Sequence, residues 1–405
     1  MELLYEIHNR LIKHISTDFV RSLFTEINWD AKLIEITGSR GVGKTTMMLQ
    51  YINLNYSKGD TSVLYISLDD PYFFSHSLID TVDTFVKYGG THLFIDEVHK
   101  YSSSYAKSDW SAEIKAAYDR YPKLRIVYSG SSIILLYKGL GDLSRRVSSY
   151  KMNGLSFREY LDFNSIIKSD SFALESILKN HKEIASEISE NIVVLKHFNE
   201  YLLNGYYAFH HEDMDKYYDK LRNVLSTVLE IDIPNVMSIP FTSVERMKKL
   251  LAVISSSAPY TPNLSKVGKS IGITDQRTLL KYLTYMEKAE IINTVSKTPV
   301  GSHILKKPAK VYLNNTNLNY AIERNISNKG TAREAFFYNQ MAYKHSVIIP
   351  DKGDFFVDNK YTFEIGGKTK TQKQLLDTKH PYLAIDGIEV GLFNKIPLWL
   401  FGFLY

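Results

Sequence analysis

Leu4, Ile7, Leu11, Ile12 and Ile15 recur three or four positions apart, and Phe19, Val20, Leu23, Phe24 and Ile27 repeat the pattern. The spacing predicts two amphipathic helices ahead of the first strand. From Lys32 the period changes. Short apolar runs at Lys32–Thr37, Val63–Leu68, Leu93–Ile95 and Leu124–Ser129, with a weaker one at Val147–Met152, predict strands. Helical stretches near Lys44, Leu78 and Trp110 alternate with them. Short apolar strands alternating with helices make a mainly parallel sheet covered on both faces. Residues 1–162 are therefore expected to form one α/β domain. Residues 163–240 turn to long, charged repeats of helical period, such as Leu174, Ile177, Ile184, Ile188, Ile192 and Leu195, which Ile233-Pro234 is expected to break. Glu245 to Thr298 reads as three helices and a hairpin, in a domain expected over 241–300. From Ile304 strand patterns return, and residues 301–405 are expected to form an α+β domain.

Composition narrows the class. With 405 residues, 44% hydrophobic and 23% charged, the chain is an ordinary multi-domain globular protein, not a collagen, coiled coil or disordered tail. It has no cysteine, which excludes a thiol nucleophile, an Fe–S cluster and Cys-based zinc sites and fits a reducing compartment. Met1 to His14 lacks an unbroken apolar core, against a signal peptide. No window approaches the roughly 18 apolar residues of a membrane span, so a cytoplasmic protein is expected. The net charge is +5, and its placement matters: residues 301–405 hold 14 Lys+Arg against 9 Asp+Glu, while the first 300 balance. The asymmetry points to a C-terminal quarter that faces a polyanion, with a merely basic solvated surface as the alternative.

The candidate chemistry begins at Gly38-Ser39-Arg40-Gly41-Val42-Gly43-Lys44-Thr45, followed by Thr46. This is a phosphate-binding loop placed after a strand and opening a helix. Its glycines let backbone N–H groups turn toward phosphate oxygens, and the helix N-terminus adds its dipole. Lys44 is expected to bridge the outer phosphates of ATP, and Thr45 to ligate Mg²⁺. His92-Leu93-Phe94-Ile95-Asp96-Glu97 is an apolar strand ending in two acids. Asp96 suits the Mg²⁺ shell and Glu97 the attacking water. The next buried strand ends Tyr128-Ser129-Gly130-Ser131-Ser132. Ser129, with Ser131 as second choice, is expected to hold the water near the γ-phosphate, unless these hydroxyls only cap a helix. Arg145-Arg146 follow and could reach a γ-phosphate in the same or a neighbouring subunit.

Together with Leu143-Ser144-Arg145-Arg146-Val147 and Leu155-Ser156-Phe157-Arg158-Glu159-Tyr160-Leu161, these motifs resemble a prokaryotic family of AAA-type P-loop ATPases. Its members carry a C-terminal domain of unknown function that is similar to restriction endonucleases. The resemblance implies a five-stranded ATPase core, a helical lid, a winged helix and a nuclease-like end. It also implies that Arg146 is the arginine of the family's Gly-Arg pair, with Arg145 standing where the family has glycine.

Two further segments carry expectations. Leu264 to Ile273 reads as a short helix and a Gly turn, with Thr274 capping the next helix. On that helix Leu279, Leu280, Leu283 and Met286 share one face, and Arg277, Lys281 and Lys288 the other. This is a helix-turn-helix with a wing, which either docks on DNA through Arg277 and Lys281 or serves only as a packing module. In the last quarter Glu334, Asp354 and Glu364 could surround Mg²⁺. Nuclease-like sites place a lysine two residues after the Glu, where this chain has Gly366. Lys368 would have to swing back, so a vestigial site beside a basic platform of Lys368, Lys370 and Lys373 is expected. The histidines show no helical i, i+4 pair, and no zinc site is expected. The whole reads as a Mg²⁺-dependent ATPase, expected to form homo-oligomers, that couples hydrolysis to DNA binding or remodelling. The alternatives are a nucleotide-dependent switch that binds a protein partner and an ATP-gated nuclease.

Overall fold

The first helix, α1 (Glu2–His14), follows the predicted spacing, but the second, α2 (Leu23–Glu26), is a single turn. The reason lies in the segment between them. Ser16 Oγ donates to Asp18 Oδ2 at 2.9 Å and accepts from the Asp18 N–H, a local alternative to helical bonding. The Ser16 and Phe19 carbonyls accept from Gln50 Nε2, each at 2.8 Å. A computed structural model describes residues 1–101, 109–133, 143–237, 239–257, 264–273, 275–297, 307–323, 329–371, 375 and 378–405.

Next come β1 (Leu33–Gly38), α3 (Lys44–Asn55), β2 (Val63–Ser67), α4 (Leu78–Lys87), β3 (His92–Asp96), α5 (Trp110–Arg120), β4 (Arg125–Ser131) and β5 (Ser148–Lys151). The five strands are parallel, in the order β2-β3-β4-β1-β5. All six residues of β1 are buried, including Glu35, whose Oε1 accepts the Tyr128 hydroxyl at 3.0 Å, so both faces of the strand are covered. The register sets Gly38 beside Ser131 and Ile95 beside Tyr128. The C-terminal ends of β1, β3 and β4 therefore meet at one end of the sheet, where open α/β sheets bind ligands.

The edge strand β2 is covered by α1. His8 is buried, and its Nδ1 accepts the Tyr65 N–H at 2.9 Å, so an edge donor that no strand pairs is satisfied. Burial lowers the His8 pKa from 6.5 to about 4. The unfolded chain takes up this proton near pH 6.5, whereas the folded chain resists it until about pH 4. Stability is thus full above pH 6.5 and drains away as the pH falls, by about 3 kcal/mol at pH 4. His8→Gln keeps an acceptor but cannot titrate. Urea melts between pH 7 and 4 should show a shallower loss in this variant than in the parent, and equal slopes would refute the assignment.

Beyond residue 153 the chain runs through α6 (Phe157–Phe163), α7 (Leu174–Asn191), α8 (Val194–Asn204), α9 (Tyr217–Thr227), α10 (Ile233–Met237), α11 (Phe241–Ser257), α12 (Leu264–Ser270) and α13 (Gln276–Lys288). There follow β6 (Ile292–Val295), β7 (Lys310–Leu313), α14 (Thr316–Ile322), α15 (Lys329–Met341), β8 (Val347–Ile348), β9 (Phe355–Val357), β10 (Tyr361–Gly366), β11 (Pro381–Ile385) and β12 (Lys395–Pro397). Ile233-Pro234 does not end the helical region. α9, a π-helical turn at Val228–Asp232 and α10 follow one another without a break, so Pro234 lies within a continuous helical run. Thr274 lies outside the described residues, and Asp275 is the cap of α13, accepting from the Arg277 N–H at 2.9 Å. β6 pairs antiparallel with β7, so the expected boundary at residue 300 falls inside one strand pair. β8 to β12 form a mixed sheet in the order β12-β11-β10-β9-β8.

The chain divides into two compact units, residues 1–153 with 235–238, and residues 154–234 with 239–405. The segments expected as three domains after residue 162 thus fall, apart from residues 235–238, in one compact unit. Asn317 shows why. It is fully buried, and its Oδ1 accepts the Tyr206 N–H at 2.8 Å and the Tyr217 hydroxyl at 2.6 Å. Its Nδ2 donates to the Tyr201 and Leu202 carbonyls. A buried amide with every bond satisfied fixes its partners in one arrangement. Among the described residues no helix is long and apolar enough to cross a membrane.

Candidate nucleotide site

Gly38 ends β1 against the chain leaving β5: a Cβ there would stand 2.2 Å from the Met152 carbonyl oxygen. Gly41 and Gly43 take φ of 86° and 102°, conformations that glycine alone adopts freely. The loop between them and α3 thus curls as the glycine spacing predicts. Lys44 is buried, and its ammonium donates to the Gly38 and Ser39 carbonyls at 2.8 and 3.0 Å. Val42 is buried, Thr46 is exposed, and the buried Ser39 hydroxyl has no hydrogen-bond partner.

Asp96, at the end of β3, is 2% exposed and is met by four donors. Thr45 Oγ1 lies 2.5 Å and Tyr65 OH 2.9 Å from Oδ2, while Ser129 Oγ and the Glu97 N–H donate to Oδ1. Burial first, then the Asp96 charge, raises the Tyr65 phenol, which keeps it a donor. Glu97 follows in the left-handed region, φ 52° and ψ 41°. The donor set fits a nucleotide triphosphate with a hard divalent cation: a backbone cradle, a buried ammonium, and a hydroxyl–carboxylate pair of oxygen ligands.

Two features refine the sequence reading. Ser129 spends its hydroxyl on Asp96, whereas Ser131, opposite Gly38 and 7% exposed, has an unpartnered Oγ. Arg146 is tied to Asp119 on α5, with Nε 3.3 Å from Oδ1 and a guanidinium nitrogen 3.4 Å from Oδ2. Arg145 is exposed and makes no hydrogen bond or ion pair among the described residues. Sequence reasoning also missed Arg21, a buried guanidinium that donates to the Val42 carbonyl at 3.0 Å and the Asn153 carbonyl at 2.8 Å. It braces the loop from outside, and no local pattern marks it.

In the second unit Glu334, Asp354 and Glu364 are neighbours, but lysines already neutralise them. Lys310 Nζ lies 2.9 Å from Glu334 Oε2 and 3.5 Å from Asp354 Oδ1, and Lys370 pairs with the buried Glu364. Burial lowers the Lys310 ammonium, but Glu334 and Asp354 outweigh it and the net shift is upward. Burial raises the Glu364 carboxyl, with the Lys370 hydrogen bond opposing. The lysine beside the carboxylates is therefore Lys370, not Lys368, which is exposed and lies against Gly387. A Cβ on Gly366 would meet the Lys370 Cβ at 2.5 Å, so the glycine clears the path for this lysine. Among the described residues no group of three or more His, Cys, Asp or Glu could hold a metal ion, and the cluster does not fit Mg²⁺. The expected platform loses Lys370 to this pair, and Lys373 lies outside the described residues. Arg277, Lys281 and Lys288 are exposed on α13, opposite buried Leu279, Tyr282, Leu283 and Met286.

A family model described as "AAA domain" matches residues 30–161. A second, "Domain of unknown function (DUF8612)", matches residues 195–329 and stops short of Asp354 and of β10, which carries Glu364. The uncharacterized protein MJ1637 of Methanocaldococcus jannaschii is 24% identical over 393 residues, covering 89% of this chain and 80% of that protein. Among solved structures, a mutant of Thermotoga maritima RuvB is 15% identical, covering 65% of this chain and 83% of that one, with a TM-score of 0.30. The Aeropyrum pernix ORC1 protein in complex with DNA is 9% identical, covering 79% and 92%, with a TM-score of 0.31. With a phosphate loop after β1 in a parallel five-stranded sheet and the AAA-domain match laid over residues 30–161, the N-terminal unit of this chain has the fold of an AAA-type P-loop domain.

Proposed function

We propose that the N-terminal unit binds and hydrolyses ATP, and that the second unit binds DNA without cutting it. The observation that carries the first half is the contact of Thr45 with Asp96 at 2.5 Å, which joins the phosphate loop to the acidic strand end. Lys44 leaves its two loop carbonyls for the phosphates. Thr45 and Asp96 would hold Mg²⁺, which would offset the phosphate charge. Glu97 takes the proton of the attacking water, and Ser131 orients it. Arg145 is free to stabilise phosphate charge from a neighbouring copy.

The DNA half rests on the geometry of α11 to β7: three helices and an antiparallel strand pair, read as a winged helix, with Arg277, Lys281 and Lys288 exposed on one helix. Phosphate contacts by such a face are salt-dependent and carry no sequence information. Arg277→Glu with Lys281→Glu is expected to weaken binding to duplex DNA at least tenfold and to lower the salt slope by about 2. The DNA should stay intact with Mg²⁺ or Mn²⁺, because ammonium groups already occupy the carboxylates. Fluorescence anisotropy against salt concentration and a nicking gel read both. Metal-dependent nicking that Asp354→Ala abolishes would make Lys370 a catalytic lysine. Absence of binding at low salt would favour a nucleotide-dependent switch with a protein partner.

A further inference from the structure

We propose that Arg40 positions Glu97 across the nucleotide site and so governs the chemical step rather than nucleotide binding. The proposal rests on the reading of Glu97 as the base. Arg40 is the third residue of the phosphate loop, at a position the loop pattern leaves variable. The cradle needs backbone amides, glycines and Lys44, so nothing in phosphate binding calls for an arginine there. Its guanidinium nevertheless points across the loop, with a terminal nitrogen 3.9 Å from Glu97 Oε2. His99 faces the same oxygen from the other element, with Nε2 at 3.4 Å and a side chain only 2% exposed.

The backbone supports the same conclusion. Glu97 sits at φ 52°, which a residue with a side chain keeps only where its surroundings over-determine it. The N–H of Glu97 bonded to Asp96 Oδ1 is one such constraint. The two side-chain contacts on one carboxylate oxygen are the others. At 3.9 Å the guanidinium orients the carboxylate by charge without taking a lone pair in a hydrogen bond. Both of these contacts are to Oε2, and the proton is assigned to Oε1. A base must be aimed before its basicity matters, and a small displacement of a reacting group costs large factors in rate. Arg40 and His99 are thus positioning residues, and Glu97 alone meets the water.

The test is a double-mutant cycle in the full chain, with steady-state ATP hydrolysis for kcat and a fluorescent ATP analogue for Kd. Circular dichroism checks each variant's fold. Arg40→Gln is expected to lower kcat about tenfold or more while Kd changes by less than about threefold. Arg40→Lys, which keeps the charge, should recover part of kcat. Adding Arg40→Gln to Glu97→Gln should slow nothing further, because the group it aims is gone. His99→Gln should lower kcat less than Arg40→Gln does. A tenfold weaker Kd with kcat retained would make Arg40 a phosphate ligand and overturn the proposal. So would a double variant slower than Glu97→Gln alone. Glu97→Gln that hydrolyses at the parent rate would instead defeat the base assignment, an outcome legible from that single variant. If Arg40→Gln fails to fold, Arg40→Lys with and without Glu97→Gln completes the same cycle.

Discussion

Glu97→Gln is expected to leave ATP bound and to cut its turnover by about 10²–10⁴-fold, the range that general-base catalysis supplies. The amide keeps the size of the side chain and its place near Arg40 and His99, but it cannot accept the water's proton. Asp96 keeps its four donors in this variant, so the loop and the acidic strand end stay joined. Lys44→Ala differs in kind. The buried ammonium is the only cation among the loop's glycine-flanked residues besides Arg40, and its loss leaves phosphate charge in the cradle unopposed. Binding itself should fall, by at least about 100-fold if a buried charge-assisted contact is worth roughly 3 kcal/mol. The pair separates binding from chemistry. Equal loss of ATP affinity in both variants would mean that Glu97 acts in binding and that the base lies elsewhere.

What the sequence made legible was whatever depends on neighbours along the chain. Strands buried on both faces show as apolar runs, and the phosphate loop shows because Gly41 and Gly43 need left-handed backbone and Gly38 a missing side chain. Asp96 and Glu97 could be found as acids at the end of such a run. What stayed hidden depends on approaches across the fold. Arg21 braces Val42 and Asn153 from 21 and 132 residues away, and no spacing rule connects them. The second predicted helix shrank to one turn because Gln50 takes the carbonyls of the segment before it. Lys370 replaced Lys368 beside Glu364 because the turn after β10 carries the later lysine back over Gly366. The close packing of the region around Tyr206 and Tyr217 with α14 stayed hidden because Asn317 binds partners about a hundred positions earlier.

Arg145→Ala is expected to lower ATP turnover by about 10³-fold, the lower end of what an arginine delivered to a transferring phosphoryl group supplies. Arg146→Ala should stay within about threefold of the parent, because its partner Asp119 lies half-exposed on α5 and such ion pairs contribute little. Arg146 would have to abandon both Asp119 oxygens and its place 5.8 Å from the Tyr118 ring to reach a phosphate. Arg145 has no such contact to give up among the described residues. If the arginine acts on a neighbouring copy, Arg145→Ala protein retains Glu97 and lacks the donor, whereas Glu97→Gln protein retains the donor and lacks the base. Mixing the two inactive proteins should therefore restore hydrolysis at interfaces where the first supplies the site and the second the arginine. The restored rate should rise with protein concentration, as assembly requires. Mixing that restores nothing, with a parent rate per chain independent of concentration, would place the arginine in its own subunit. Loss of activity in Arg146→Ala with Arg145→Ala unaffected would reverse the assignment and make the Asp119 pair a resting state that nucleotide breaks.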